Sequence, residues 1–254
     1  MTIFDDVLAH LVFDDPHCVD CLVHVLLGDD FHIRSFHKEH QLYNPLGRSC
    51  LFDLLIEDIQ GNMINIELQG YKSGADPKRL RYYASAITGS MNIEDDKWHT
   101  LADTKVIFIC KEDYIGEGES VYHIERIIRE TGKALKDGEE LMYINGERED
   151  DEKYGKLMHD LNCTRAEEMY YEPFARRVAY IKQTEKGRKE MCEILENMIK
   201  EERKEERLIA LDEGIAIGEE RVAIQMIRLG KLTFEEIAIY TGLSIERVKS
   251  LQIS

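Results

Sequence analysis

The 254-residue sequence lacks any apolar run of 18 or more residues and any basic, apolar leader. We therefore expect neither membrane insertion nor secretion. It also lacks a glycine-rich phosphate-binding loop and a serine nucleophile elbow, so neither of those enzyme classes is supported. Its six cysteines are scattered along the chain, a pattern typical of reduced thiols in the cytoplasm. A chain of this length can bury a real core and still carry an appendage.

Positive charge is scarce, with 33 Lys and Arg against 50 Asp and Glu and a net charge of −17. A field of that sign repels DNA at long range, which argues against strong non-specific binding. A local positive groove inside an acidic body remains compatible with this composition. The cations that would form it lie close together in the sequence: Lys72, Lys78, Arg79 and Arg81.

The most informative segment is LFDLLIEDIQGNMINIELQ, residues 51–69. Its first half is an apolar, strand-forming run with one acid, Asp53, and its second half alternates polar and apolar residues with a period of two. Glu67 and Gln69 are therefore expected on one face of the second strand. A tight turn at residues 58–62 predicts a hairpin that brings Asp53 near Glu67.

Two carboxylates and an amide would then converge at one point. Buried carboxylates without partners are costly, and a divalent cation is the usual means of holding two of them together at neutral pH. Hard oxygen ligands favour Mg²⁺ or Mn²⁺, and such a site suits phosphodiester hydrolysis. The alternative is an ordinary hairpin whose polar face is solvated.

The segment after the hairpin favours the functional interpretation. Asp76-Pro77 is a helix start, with an N-cap acid and a proline at the first helical position, and basic and aromatic residues follow within two turns. The order Asp53, then Glu67-Leu68-Gln69, then Arg79-x-x-Tyr82-Tyr83 resembles the PD-(D/E)XK nuclease superfamily. Within it, the chain is most similar to the Rpn-type recombination-promoting nucleases, a transposase family. Further segments extend the resemblance over nearly the whole chain: 12–16, 157–161 and 168–171.

The resemblance implies an α/β fold of the restriction-endonuclease type, in which helices flank a central mixed sheet, with a helical C-terminal extension. We expect the nuclease-like core in residues 1–150 and the extension in residues 151–254. Along the chain the pattern predicts an opening helical region, a first strand, the hairpin, a helix from Pro77 to about Ala86 or beyond, a buried central strand and two edge strands. The opening helical region is residues 3–27 and the first strand is residues 36–43. The buried central strand is residues 105–110, and the two edge strands lie in residues 119–146.

The resemblance also assigns roles to residues. It implies Asp53, Glu67 and Gln69 as catalytic residues, and Asp53, Glu67 and the Leu68 carbonyl as ligands of Mg²⁺ or Mn²⁺. Gln69 stands where many members have a lysine, and an amide can orient a water but carries no charge. Near the N-terminus, Asp6 matches an acidic position of the family. The expected DNA-binding residues are Lys72, Lys78, Arg79, Arg81, Tyr82 and Tyr83.

The C-terminal third is predicted to be helical. Residues 185–229 contain no proline and form one long helix or two, which either self-associate or fold back on the core. A capping box at Thr233 and Glu236 then begins two short helices that resemble a helix-turn-helix. The second short helix offers only Arg247 and Lys249 as cations, which favours packing or a homo-oligomer contact over DNA reading.

Two functions follow. The first is a metal-dependent DNA endonuclease that promotes recombination or acts in mobile-element or defence biology. The second is a catalytically weak nuclease-fold protein that binds partners through its helical tail. Cleavage of plasmid DNA with and without Mg²⁺ or Mn²⁺ distinguishes the two.

Overall fold

A computed structural model describes residues 1–44, 48–91 and 97–252 of the chain. The chain divides into two compact units, Met1–Met191 and Cys192–Ser254. The proposed boundary at residue 150 remains a prediction, although the first compact unit extends beyond it to Met191. The helices that follow the sheet in the first unit are α4 (Gly155–Asn162) and α5 (Glu172–Gln183).

A mixed sheet forms the centre of the first unit. As far as the described residues show it, the sheet has six strands in the order β1-β2-β3-β4-β8-β5. Their bounds are β1 (Ile33–Leu42), β2 (Cys50–Asp58), β3 (Met63–Gln69), β4 (Thr104–Cys110), β5 (Val121–Ile124) and β8 (Glu139–Asn145). A separate small hairpin consists of β6 (Ile127–Ile128) and β7 (Lys133–Ala134). The helices around the sheet are α1 (Asp6–Val12), α2 (Pro16–Leu27), α3 (Pro77–Ser90), α4 and α5.

The strand directions confirm the expected mixed topology. β2 pairs antiparallel with β1 and with β3, β4 lies parallel between β3 and β8, and β5 pairs antiparallel with β8. A strand with parallel neighbours on both sides is buried on both faces, which explains the continuous apolar run in β4. From Val106 to Cys110 every residue of this strand is buried.

The hairpin between β2 and β3 forms where the sequence predicts it. Both oxygens of the Asp58 carboxylate accept hydrogen bonds within the turn, including those from the backbone N–H groups of Gln60 and Asn62, each at 2.8 Å to Oδ1. Gly61 has φ +90°, a conformation that residues with a Cβ atom rarely adopt. The turn chemistry therefore fixes the register in which the two strands meet.

One sequence-based expectation for the sheet was wrong. Residues 119–146 were expected to give two edge strands. Of the two strands that this segment adds to the six-stranded sheet, β5 lies at an edge and β8 does not. β8 lies inside the sheet, paired on one side with β4 and on the other with β5. Its acidic start, Glu139 and Glu140, is only half-buried, so the strand has the composition of an edge although its second half is a core strand.

Helix α3 covers one face of the sheet. It begins where the Asp76 carboxylate accepts a hydrogen bond from the Lys78 N–H at 2.7 Å, with Pro77 at the first helical position. Its buried residues follow helical spacing and pack against the aromatic and aliphatic side chains of β2, β4 and β8. They are Leu80, Tyr83, Ala84 and Ile87.

Residues that point to the opposite face of the strands are also buried, for example Ile56, Ile66 and Ile107. Helices α1, α2, α4 and α5 supply buried side chains for this second layer. They are joined by direct contacts, such as the hydrogen bond from Arg177 Nε to the Leu11 carbonyl at 2.9 Å. The sheet is thus flanked by helices on both sides, as the fold class requires.

The second unit is helical. Helix α6 (Glu185–Leu229) is continuous, which decides between the one or two helices expected. Among the described residues, no helix combines the length and apolar composition needed to cross a bilayer.

Helices α7 (Phe234–Thr241) and α8 (Ile245–Leu251) pack with the end of α6 around Ala223, Ile237 and Val248. The Thr233 and Glu236 capping box forms as predicted. Arg247 is not free, because its Nε donates to Glu220 Oε1 at 2.8 Å.

Candidate active site

Asp53 and Glu67 lie side by side where β2 and β3 part. The strand pairing covers Leu54 to Glu57 against Met63 to Ile66, and the same register continued by one residue places Asp53 opposite Glu67. We call this place, formed by Asp53, Glu67 and Leu68, the fork. Here the carboxylates of Asp53 and Glu67 accept the backbone hydrogen bonds that a paired strand would otherwise accept. The Asp53 N–H donates to Glu67 Oε1 at 3.0 Å, and the Leu68 N–H donates to Asp53 Oδ2 at 2.9 Å.

The Leu68 carbonyl faces the same gap. The N–H and C=O of one strand residue point to the same side of the strand, and the Leu68 N–H points to Asp53. The next carbonyl along β3, that of Gln69, points the other way and accepts from the Lys111 N–H at 2.9 Å. Two carboxylates and one carbonyl therefore surround the fork.

The two acids share an environment that disfavours their charges. Glu67 is fully buried and Asp53 half-buried. Burial, and then the neighbouring Asp53, raise the pKa of Glu67 to about 8. Burial also raises the pKa of Asp53 to about 6, although the Leu68 N–H and Arg79 act in the opposite direction. A further cation bound beside the Arg79 guanidinium would favour the state in which both acids are ionised.

Two further side chains bind Glu67. Asn65 Nδ2 donates to Glu67 Oε1 at 3.1 Å, and Arg79 Nη2 donates to Glu67 Oε2 at 3.1 Å. Asn65 is also fully buried, and in the described part of the chain its Oδ1 has no hydrogen-bond partner. A buried acceptor of this kind beside two carboxylates can accept a hydrogen bond from a water or from a hydrated ion.

Arg79 extends from α3 over the ends of the two acidic strands. Its Nη1 donates to Gln69 Oε1 at 3.0 Å and to the Gly74 carbonyl at 2.9 Å. Its Nε and Nη2 donate to the Tyr83 hydroxyl at 3.1 and 2.9 Å. The Tyr83 hydroxyl in turn donates to the Leu51 carbonyl at 3.1 Å. α3 is thereby tied to both β2 and β3 at the fork.

Two more acids lie within electrostatic reach of Asp53. Asp6 and Glu39 both raise its pKa. Glu39 has φ +50°, which is unusual for a residue with a Cβ atom, and its carboxylate is hydrogen-bonded to His10. The acidic position expected near the N-terminus is thus close enough to Asp53 to influence its charge.

The structure separates the six expected DNA-binding residues into three groups. Lys72, Lys78 and Arg81 are exposed, and Lys72 makes a 3.9 Å ion pair with Glu112. Arg79 and Tyr83 point into the fork. The Tyr82 hydroxyl accepts from Asn44 Nδ2 at 3.0 Å and donates to the Arg48 carbonyl, so it contacts the segment before β2.

The oxygen ligands at the fork fit a hard divalent cation. Mg²⁺ keeps several waters and is commonly bound by one or two carboxylates. Asp53 and Glu67 can supply the carboxylates, and the Leu68 carbonyl can supply a third oxygen. Within the described ranges, no three His, Cys, Asp or Glu side chains come together in ligand geometry. The fit therefore rests on the carboxylate pair and the carbonyl.

The comparison with known proteins agrees with this geometry. The family model described as PD-(D/E)XK nuclease family transposase matches residues 30–156, half of the chain. The chain belongs to this family. The match includes β1 to β8 and α3, and with them the whole fork. No curated protein and no solved structure matches the chain. Family membership thus establishes a nuclease fold, and the roles of individual residues remain predictions.

Sequence reasoning located the acids of the fork but missed some of their partners. Asn65 was not singled out, although it lies two residues before Glu67 and the period-two pattern places it on the same face. Arg79 and Tyr83, four residues apart on one helix face, were assigned to DNA. No local pattern indicates that a guanidinium turns inward to contact residues 10 and 12 positions earlier in the chain.

Proposed function

We propose that the protein is a divalent-metal-dependent endonuclease that hydrolyses phosphodiester bonds in DNA. The observation that carries the proposal is the fork, where Asp53, Glu67 and the Leu68 carbonyl converge. Asp53 and Glu67 would hold Mg²⁺ or Mn²⁺. When bound there, the cation would acidify a water and offset the charge that develops on the phosphate.

The surrounding side chains have roles consistent with this chemistry. Gln69 lies beside the acids, and its amide can donate a hydrogen bond to a water or a phosphate oxygen. The exposed cations Lys72, Lys78 and Arg81 lie just after β3 or at the start of α3, where they can contact the DNA backbone. They offset locally the net charge of −17.

The biological setting we propose is recombination, mobile-element movement or defence against foreign DNA. The transposase description of the matching family supports it. All six cysteines are free thiols, which is compatible with the reducing cytoplasm.

The test is cleavage of supercoiled plasmid by the purified protein with Mg²⁺, with Mn²⁺ and with a chelator. Asp53→Asn and Glu67→Gln should each lower the cleavage rate at least about 100-fold, because each removes a charged ligand. Each variant keeps an oxygen that can accept the backbone N–H at the fork, so the fold should be retained. Glu57→Gln is the matched control, since Glu57 lies on β2 like Asp53 but pairs with Arg34 at the surface. Cleavage at the wild-type rate by both fork variants would refute the nuclease assignment.

An interaction function of the helical tail has its own support. Along α6, apolar side chains are exposed at positions separated by four, seven and seven residues, so they share one side of the helix. They are Leu211, Ile215, Val222 and Leu229. We propose that this stripe mediates homo-oligomerisation, either alongside catalysis or, in a catalytically weak protein, as the main function.

A further inference from the structure

The contact between Arg79 and Gln69 determines which way the Gln69 amide faces. A guanidinium has only donors, so the atom 3.0 Å from Arg79 Nη1 is the amide oxygen, Oε1. The amide nitrogen of Gln69 therefore points away from Arg79. Within the part of the chain that the structure describes, this nitrogen donates to no protein acceptor. Gln69 thus presents a free N–H₂ donor beside Glu67.

Arg79 itself is held rigidly. Its guanidinium makes hydrogen bonds to Glu67, Gln69, Gly74 and Tyr83, and its Cζ lies 4.9 Å from the centre of the Tyr83 ring. A guanidinium with its donors engaged in this way has little freedom to follow a DNA phosphate. Its Nη2 nevertheless lies within hydrogen-bond distance of Glu67, a proposed metal ligand.

The space around this contact is shaped for it. Gly74 lies where a Cβ atom would stand 2.0 Å from Gln69 Oε1 and 3.4 Å from Arg79 Nη1. Only a residue without a side chain leaves room for the Gln69 oxygen to reach the guanidinium. The Gly74 carbonyl, at 2.9 Å from Nη1, adds a second anchor at the same place.

Arg79 also brings a positive charge to the fork. Gln69 is neutral, and the positive group nearest to it in this network is the Arg79 guanidinium, which also contacts Glu67 Oε2 at 3.1 Å. A fixed positive charge at this distance lowers the energy of negative charge that develops at the fork, and most strongly where water is scarce. One side chain can therefore set the donor direction of the amide and supply the charge that the amide lacks.

We propose that Arg79 is a positioning residue that orients the Gln69 amide and the Glu67 carboxylate and supplies the positive charge at Gln69. The inference rests on the nuclease activity proposed above. It differs from a phosphate contact, because Arg79 acts through Gln69 and Glu67 rather than on the DNA backbone.

The experiment compares Arg79→Met, Arg79→Lys and the double variant Arg79→Met with Gln69→Lys, with the exposed Arg129→Met as the matched control. Single-turnover plasmid cleavage, DNA affinity and calorimetric Mn²⁺ binding are measured on the full chain. We expect Arg79→Met to cut about 100-fold more slowly, as for the loss of one preorganised electrostatic donor. Its DNA affinity should change less than twofold, and its Mn²⁺ affinity should be unchanged or higher because a nearby positive charge is gone.

Rescue separates a positioning role from a purely structural one. The lysine of the double variant should restore at least tenfold of the lost rate, and Arg79→Lys should lie between Arg79→Met and the wild type. A wild-type rate in Arg79→Met would overturn the inference. A loss of DNA affinity with a flatter salt dependence would also overturn it, since Arg79 would then be a phosphate contact.

A further readout does not depend on cleavage. In an NMR spectrum the Gln69 side-chain N–H₂ resonances should differ from those of a free glutamine in the wild-type protein and move towards free values in Arg79→Met, with circular dichroism showing that the variant is folded. Resonances unaffected by Arg79→Met would refute the positioning role even if the rate fell. If the wild-type protein cuts no DNA with either metal, the proposed function fails, and the Arg79 contact is then judged on these resonances alone.

Discussion

Gly74 lies so close to Gln69 that a Cβ atom added to the glycine would stand 2.0 Å from Gln69 Oε1. The atom it would displace is the far end of a flexible side chain, so the displacement costs little stability. We predict that Gly74→Ala leaves the free energy of unfolding within about 1 kcal/mol of the wild type and lowers the cleavage rate about tenfold or more. Denaturant unfolding and plasmid cleavage measure the two effects.

The matched control for that substitution is Gly89→Ala in α3, where an added Cβ meets nothing within 4 Å. Alanine there should be neutral or stabilise the protein by up to about 1 kcal/mol, with unchanged cleavage. Equal activity of the two alanine variants would show that the Gln69 position is not required for cleavage.

The fork predicts how stability depends on pH in the metal-free protein. Burial, followed by the charge of Asp53, raises the pKa of Glu67 from an ordinary 4.5 to about 8. Between these values the folded state keeps a proton that the unfolded state has lost, so the free energy of unfolding falls as the pH rises through this window. Glu67→Gln removes the titrating group. In chelator, thermal unfolding of this variant should therefore depend less on pH between 5 and 8.5 than that of the wild type.

Adding Mn²⁺ provides the complementary measurement. A cation that binds the ionised pair should raise the melting temperature of the wild type more at pH 8 than at pH 5. Glu67→Gln should respond weakly at both values. Parallel pH profiles of the wild type and Glu67→Gln in chelator would contradict the raised pKa of Glu67.

DNA binding should depend on the exposed cations at the start of α3. Lys78→Ala together with Arg81→Ala should lower DNA affinity and reduce the slope of log affinity against log salt by about two units, since about two phosphate contacts are lost. Arg129→Ala with Lys133→Ala removes the same charge from an exposed hairpin elsewhere and serves as the control. The same loss in both pairs would indicate a general charge effect instead of a DNA-binding surface.

The stripe on α6 predicts an effect on the oligomeric state. Ile215→Glu with Val222→Glu places charges in the proposed contact and should shift the protein to a smaller species in light scattering. Ile217→Glu is the control, because Ile217 is similarly exposed but lies on a different side of the helix. A protein that is monomeric before any substitution would exclude this interface.

The sequence was most informative where local chemistry determines structure. The hairpin could be predicted because Asp58 and Gly61 specify its turn and the period-two pattern specifies the faces. Helix α6 could be predicted because residues 185–229 contain no proline and are rich in good helix formers. The internal position of β8 could not, since Glu139 and Glu140 make the strand resemble an edge until its parallel partner is known.

The candidate site shows the same division. Asp53 and Glu67 were brought together by the register of one hairpin, which is a local property of the chain. The inward direction of Arg79 depends on the packing of α3 against the sheet, because Tyr83 and Phe108 form the surface on which the guanidinium lies. A tertiary arrangement of this kind leaves no periodic signal in the sequence.

The fork also restricts how an inactive descendant of this protein could arise. Glu67 accepts the Asp53 N–H and Asp53 accepts the Leu68 N–H just beyond the last β2–β3 pair, so the two acids close that pairing as well as offering ligands. Replacement by a small apolar residue would leave a buried donor unsatisfied, at a cost of about 1–3 kcal/mol. Lineages that lose catalysis should therefore keep an oxygen acceptor at these two positions, as Asn or Gln, and change first at Gln69, whose side-chain oxygen accepts from Arg79 and not from a backbone N–H.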